Sequence, residues 1–374
     1  MSFYTTPLQF GYFLSVLLFL VFLFRSYHRE VVSDRFLALL MLIFALEMQD
    51  YTFGFSGINF LWNELNGFPR EVALLLGPVM YFYLKAQISL GWHLKRRDYW
   101  HFAPWGIYFL FNFIIFLSGD ETVKSWQTSG LVYYYDYVLF FIRWLSLGYY
   151  FYHSIRLYKS YRRWIDQSFS DIEAISLNWF RNFIYLMLLW VSFREIMHVL
   201  DHFLDLSFYQ DWWWNLALVA VSVYVGLSGM AQKEASNIAY DSSEVNPSNL
   251  DQGPSNQSHI EYKQIIERLD SAMRTERLYL QPQLNLRDLA KQLKVPSGTL
   301  SAAINNRKKN NFNDYINALR VEEFLELARK EGNKNYTLLS LAFDCGFNSK
   351  ATFNRAFKKQ KACSPREYLN KKDE

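Results

Sequence analysis

The residues best placed to do chemistry are Lys350, Ala351, Asn354 and Arg355, which read as the outward side of one short helix. An Arg can fork onto guanine O6/N7 and an Asn onto adenine N6/N7, so a helix start carrying both suits a DNA major groove. Phe353 and Phe357, four residues apart, set the inward side of that helix. Ahead of it, Leu338, Leu341, Ala342 and Cys345 fall at i, i+3, i+4 and i+7, an apolar stripe along another short helix. Gly346 is placed to end this first helix with φ > 0, and Ser349 to accept from the free N–H groups that open the second. The spacing predicts a helix-turn-helix.

Earlier in the chain the same pattern occurs in Leu286, Leu289, Ala290 and Leu293, offset by 52 residues. Beyond the turn the offset becomes 53 and pairs Leu300 with Phe353 and Ile304 with Phe357. Two helix-turn-helix units are therefore expected, the second with a turn one residue longer. Phe312, Tyr315, Ile316, Leu319 and Val321 mark a helix joining them, continuing to about Lys330. An amphipathic helix from Ile260 to about Arg274 precedes both, with Ile260, Ile265, Ile266, Leu269 and Met273 available to cover the first unit.

Three stretches carry a family resemblance: Ala342-x-x-x-Gly346-Phe347-x-Ser349, Phe353-x-Arg355-x-Phe357-Lys358-Lys359, and Ser364-Pro365-x-x-Tyr368. In types and spacing they resemble the C-terminal DNA-binding domain of AraC/XylS transcription regulators, over roughly residues 259–372. Two departures are Ala362, where the family usually has Gly, and Leu369, where Arg is common. Phe324 and Ala328 stand where the family usually has Ala and Leu, as though two helix neighbours had exchanged volumes. The resemblance implies base-reading positions at Gly298, Ser301 and Ala302, followed by Asn305, in the first unit. In the second it implies Lys350, Ala351, Asn354 and Arg355. Small side chains cannot reach base edges with two hydrogen bonds, so the first unit is expected to position the protein and the second to specify sequence. Arg307, Lys308, Lys309, Ser349, Lys358 and Lys359 are the candidate phosphate contacts, solvated surface charge being the alternative for the cations. Implied partners are double-stranded DNA, RNA polymerase and a second copy of the chain.

The rest of the 374 residues is of another kind. Aromatic residues make up 19% of the chain, as 33 Phe, 26 Tyr and 12 Trp. Residues 1–258 hold 17 Lys+Arg against 21 Asp+Glu and residues 259–374 hold 22 against 14, net −4 and +8, which puts a polyanion partner at the C-terminal end. The two cysteines, Cys345 and Cys363, form no C-x-x-C and have no His cluster beside them, so neither a metal site nor a disulfide is expected. No cofactor and no catalytic constellation stands out, which argues against an enzyme.

Seven apolar stretches of roughly spanning length precede residue 231: Leu8 to Phe24, Phe36 to Phe53, Val72 to Leu90, Phe102 to Ser118, Leu131 to Tyr152, Phe183 to Leu200 and Trp212 to Met230. The first lacks a basic leader and a small-residue cleavage site, so a removable signal peptide is not expected. Arg25, Arg29 and Arg35 flank the first loop; Lys85, Lys95, Arg96 and Arg97 the third; Arg156, Lys159, Arg162 and Arg163 the fifth. The alternate loops hold only Arg70 and Lys124. This bias puts the N-terminus outside and the C-terminus in the cytoplasm of a bacterial inner membrane.

The candidate sensor is a set of ionisable residues, Glu47, Asp50, Asp136, Arg194, Glu195 and His198 towards the outer ends of the spans and Arg143 near the middle of the fifth. An intramembrane charge is costly and normally faces a partner or a wet cavity. The expectation is a pocket between spans two, three, five and six in which Arg194 or Arg143 pairs with Glu47, Asp50 or Asp136. The alternative is that these are ordinary span ends. His198 and His202 share a helical face, but no Glu lies between them as a zinc peptidase needs, and no metal site is assigned.

The expected architecture is all-α: a seven-helix transmembrane domain at residues 1–231, a flexible polar linker at 232–259, and an AraC-type DNA-binding domain at 260–374. The function expected is a membrane-bound, sequence-specific transcription regulator that couples an extracytoplasmic or membrane signal to gene expression. The signal could be a small molecule or a membrane protein. In the alternative, the helices embedded in the lipid bilayer are only an anchor or docking surface, with no ligand site.

Overall fold

A computed structural model describes residues 5–57, 64–89, 91–173, 175–204, 212–232, 256–330, 332 and 335–373. Among these residues the regular elements are helices, apart from an isolated antiparallel bridge between Phe169 and Asn285. The chain forms two compact units, one of residues 1–158 and 177–239, the other of residues 159–176 and 240–374. Residues 233–255, in the expected linker, lie outside the described residues.

The first unit contains α1 (Thr6–Arg29), α2 (Val32–Ser56), α3 (Ala73–Ile88), α4 (Ala103–Leu117), α5 (Asp120–Thr128), most of α6 (Gly130–Ser168), α7 (Asn178–Leu204) and α8 (Trp212–Ala231). Each expected span falls on a helix, but only four of the described segments are long and apolar enough to cross a membrane: Thr6–Arg29, Val32–Gly54, Arg96–Leu117 and Trp212–Ala231. The third stretch forms the 16-residue α3, which is apolar but short. In α6 and α7 the tyrosines and Arg143, and Arg181 and Arg194, dilute the apolar character that the fifth and sixth stretches were expected to carry. The short amphipathic α5 was not anticipated.

Helix α2 is central to this unit: it packs on α1, α3 and α8 and buries Phe36, Met41, Phe44 and Met48. Close approach between α1 and α8 rests on small residues. Ser15 and Ser222 hydroxyls share a hydrogen bond of 2.6 Å, and a Cβ on Gly226 would stand 2.3 Å from Leu18 Cδ1. Such contacts let apolar helices associate where lipid supplies no hydrophobic drive. Gly77, which with Pro78 lies inside α3, is held by packing too, since a Cβ there would meet the Tyr150 ring at 2.7 Å. At the α1–α2 turn, Asp34 accepts from Arg25 Nε at 2.5 Å and from Nη2 at 2.6 Å.

The second unit contains residues 159–168 of α6 and the turn that follows, then α9 (Asn256–Thr275), α10 (Leu286–Gln292), α11 (Ser297–Lys308), α12 (Phe312–Ala328), α13 (Leu338–Asp344), α14 (Lys350–Lys361) and α15 (Pro365–Asp373). Helix α12 is shared between two cores. Its first turns give Phe312, Tyr315 and Ile316 to a cluster with α9, α10 and α11; its last give Val321, Phe324 and Leu325 to a cluster with α13 and α14. Ile265, Ile266, Leu269 and Met273 of α9 are buried as the spacing predicts, whereas Ile260 is 63% exposed. At 100° per residue Ile260 points away from Leu269, and Tyr262 packs on the cluster in its place.

Candidate nucleic-acid interface and membrane-domain cavity

The two helix-turn-helix units repeat in backbone as well as in sequence. Leu289, Ala290, Leu300 and Ile304 are buried in the first, and Leu341, Ala342, Phe353 and Phe357 in the second. Both α10 and α13 close with the same hydrogen bond, from Val295 N–H to Ala290 O at 3.0 Å and from Phe347 N–H to Ala342 O at 3.2 Å. Each turn needs a left-handed residue, which is Lys294 (φ 54°) in one and Gly346 (φ 88°) in the other. Only Gly fits the second turn, where a Cβ would stand 2.6 Å from the Leu280 carbonyl oxygen. Ser349 caps α14, accepting from Thr352 N–H at 3.1 Å.

Helix α14 presents Lys350, Ala351, Asn354 and Arg355 to solvent, and Lys358 and Lys359 follow, also exposed. On α11, Gly298 is exposed while Ser301, Ala302 and Asn305 are half-buried. Three of the candidate phosphate contacts are held by carboxylates: Lys308 by Asp270 at 2.8 Å, Lys359 by Asp314 at 2.6 Å, and Ser349, whose hydroxyl donates to Glu173. Arg307 and Lys309 are exposed at the end of α11. These positions can carry base and phosphate contacts, with α14 offering the longer polar side chains.

What the sequence did not single out is the polar framework beneath. Arg320 is fully buried on α12, donating to Tyr279 O at 2.6 Å and Gln281 O at 2.7 Å, and burial pulls its guanidinium down to about 10. Glu323 accepts from Arg277 and, at 2.8 Å, from Tyr279 Oη. Burial alone would raise the Glu323 carboxyl, but those two donors outweigh it and hold it low. Cys345 is buried, and burial pushes its thiol up to about 12. Asn313, Asn317 and Arg320 stand at i, i+4 and i+7, a polar stripe that was the available signal for a buried polar contact.

In the first unit, α2, α3, α6 and α7 surround a cavity of about 320 Å3, lined by Phe44, Glu47, Arg143, Trp144, Trp190 and Arg194 among others. Arg194 lies 3.9 Å from Glu47 and stacks over the Trp190 ring at 5.2 Å. Arg143 pairs with Glu71, a partner not among the expected pairs although its position near a span end was legible. Asp50 lies apart from this cavity, 3.3 Å from Arg70, and Asp136 is exposed on α6. The side chains of Glu195, His198 and His202 lie outside the described residues. Among the described residues no group of three or more His, Cys, Asp or Glu is arranged to hold a metal ion.

Residues 289–371 match the family model described as a helix-turn-helix domain, which is of AraC type. The match supports a DNA-binding regulatory role for this part of the chain, and the matched family is not a catalytic one. No curated protein and no solved structure matches the chain.

Proposed function

We propose that the chain is a membrane-embedded transcription regulator in which α14 reads an operator and the helices of the first unit hold the protein in the bilayer and sense a signal. The observation that carries the DNA reading is α14 itself, capped by Ser349, anchored by buried Phe353 and Phe357, and exposing Asn354 and Arg355 on a unit with excess positive charge. Membrane embedding is supported by the four apolar segments. It is supported as well by large apolar side chains left exposed along them, such as Phe13, Leu17, Ile107 and Ile114. In water such faces would be costly; in lipid they are not. Seven spans, with the N-terminus outside and residues 260–374 in the cytoplasm, remain the topology that the loop charges favour.

The cavity between α2, α3, α6 and α7 favours sensing over a bare anchor, since two arginines and two tryptophans converge on it. Lys350, Ala351, Asn354 and Arg355 are the proposed base readers, with Gly298, Ser301, Ala302 and Asn305 positioning the first unit. Chromatin pull-down with sequencing, comparing wild type with Arg355→Ala, tests the DNA reading; peaks that share no sequence motif would defeat it. A carbonate wash that released the intact protein would defeat the membrane reading, and a periplasm-active reporter fused after Glu374 would defeat the orientation.

A further inference from the structure

The turn that ends α6 is built into the DNA-binding unit. The buried Ser170 donates through N–H and Oγ to Leu284 O, at 3.3 and 2.7 Å. The polar stripe of α12 meets its backbone: Asn313 donates to Phe169 O at 3.0 Å and to Ser170 O at 2.9 Å, Asn317 to Ser170 O at 3.1 Å, and Arg320 to Ser170 Oγ at 3.2 Å. This framework aims two carboxylates at the start of α14. Glu173 accepts from Ser349 Oγ and, at 3.1 Å, from Thr352 Oγ1, while Asp171 lies 3.4 Å from Thr352 Oγ1. Thr352 is only 1% exposed as a result. One helical turn earlier in α6, Asp166 shares a groove of about 360 Å3 with Arg355 and Lys359.

A helix N-terminus with a hydroxyl cap is where a DNA-binding helix takes hold of a phosphate, because its free N–H groups and dipole favour an anion. Here that corner is occupied by carboxylates of the same chain. We infer that the acidic turn at residues 169–173 is an intramolecular partner of the second helix-turn-helix, holding the N-terminal corner of α14 where a DNA phosphate would sit, so that the turn and duplex DNA compete for it. The inference rests on the proposed DNA reading and names how that site is regulated.

The contact is held mainly by hydrogen bonds, which water can replace when the turn leaves, although Ile172 of the turn is buried with it. The turn follows directly on α6, the helix that gives Arg143 to the cavity.

The test uses the full chain in lipid nanodiscs and a labelled random-sequence duplex. Asp171→Asn/Glu173→Gln is compared with Glu261→Gln/Glu276→Gln, which removes the same charge elsewhere on the unit. If the docked form holds about nine molecules in ten, freeing the corner tightens the apparent Kd about tenfold relative to that control. In a Cys363→Ser background, Glu173→Cys/Ser349→Cys should lose DNA binding when oxidised and regain it on reduction; Cys345 stays silent because it is buried. Equal affinity of the oxidised and reduced forms would overturn the competition, as would equal affinity of the two neutralised variants. Absence of binding by wild type and every variant would instead remove the DNA reading beneath it.

Discussion

Substituting Gly346 by Ala tests the second helix-turn-helix at its tightest point. The residue is left-handed at φ 88°, and a non-Gly side chain pays about 1 kcal/mol for that conformation. The added Cβ would stand 2.6 Å from Leu280 O, 2.9 Å from Leu280 C and 3.0 Å from Tyr279 O. These are backbone atoms, and their strand of chain cannot retreat freely, because Arg320 ties down Tyr279 O and Gln281 O on either side. Overpacking against a fixed neighbour costs about 1–3 kcal/mol, so the total is about 3 kcal/mol. Lys294→Gly is the internal control: the equivalent turn already strains a non-Gly residue at φ 54°, and Gly there should gain up to about 1 kcal/mol. Hydrogen exchange of the intact protein reads both, as faster exchange across α13 and α14 for Gly346→Ala and slower exchange across α10 for Lys294→Gly. A Gly346→Ala protein whose α13 amides exchange as slowly as wild type would refute the argument.

Other substitutions probe the interface and its scaffold. Arg355→Ala should cost about 1–3 kcal/mol in operator binding and relax one base position, whereas Lys358→Ala should weaken all sequences alike; binding-site selection followed by titration separates the two. Ala362 adopts φ 60° at the end of α14, so Ala362→Gly should stabilise the second unit by about 1 kcal/mol, read from denaturant-dependent exchange. Glu323 titrates below its ordinary 4.5, so the stability it lends is whole above about pH 4.5 and is lost as pH falls through the depressed value; Glu323→Gln should flatten that acid limb of the melting curve. Phe324 packs on Phe353 at 4.7 Å and Phe357 at 5.9 Å, and Phe324→Ala should cost about 3–5 kcal/mol. Adding Ala328→Leu should recover part of that loss, and a strictly additive double variant would show that the two positions do not share volume.

How much was legible in advance follows from what kind of periodicity each part carries. The second unit could be read because Leu289, Ala290, Leu300 and Ile304 recur as Leu341, Ala342, Phe353 and Phe357, and every one of them is buried. Local rules also placed the Ser349 cap and the Gly346 turn. In the first unit apolar runs located the helices but not their partners. A run rich in Phe and Leu is equally content against lipid or against another helix, so nothing in α2 announced that it would be the enclosed one. Pairing at the cavity depends on which turn of α6 faces the segment that leads into α3, and so Glu71 rather than Glu47 or Asp136 meets Arg143.

The turn at residues 169–173 escaped the sequence for a different reason. Its contacts bridge more than a hundred residues, from Ser170 to Leu284 and from Glu173 to Ser349, and no local period records such a pairing. What the sequence did contain was half of the interface. Asn313, Asn317 and Arg320 line up along α12 between two apolar cores, where a polar stripe is either wet or matched. Side-chain amides on a buried face call for carbonyl groups without partners of their own, and a tight turn supplies them more readily than a helix or a sheet does. In a chain with long apolar segments, the turns between helices are therefore the places to look for a partner. The segment after α6 is distinguished among them by Asp171 and Glu173, with Asp166 in the last turn of α6 before it, whose charge opposes that of the unit it joins. A complementary polar stripe and an acidic turn, read together, are thus a pairing that sequence can suggest and only the fold can select.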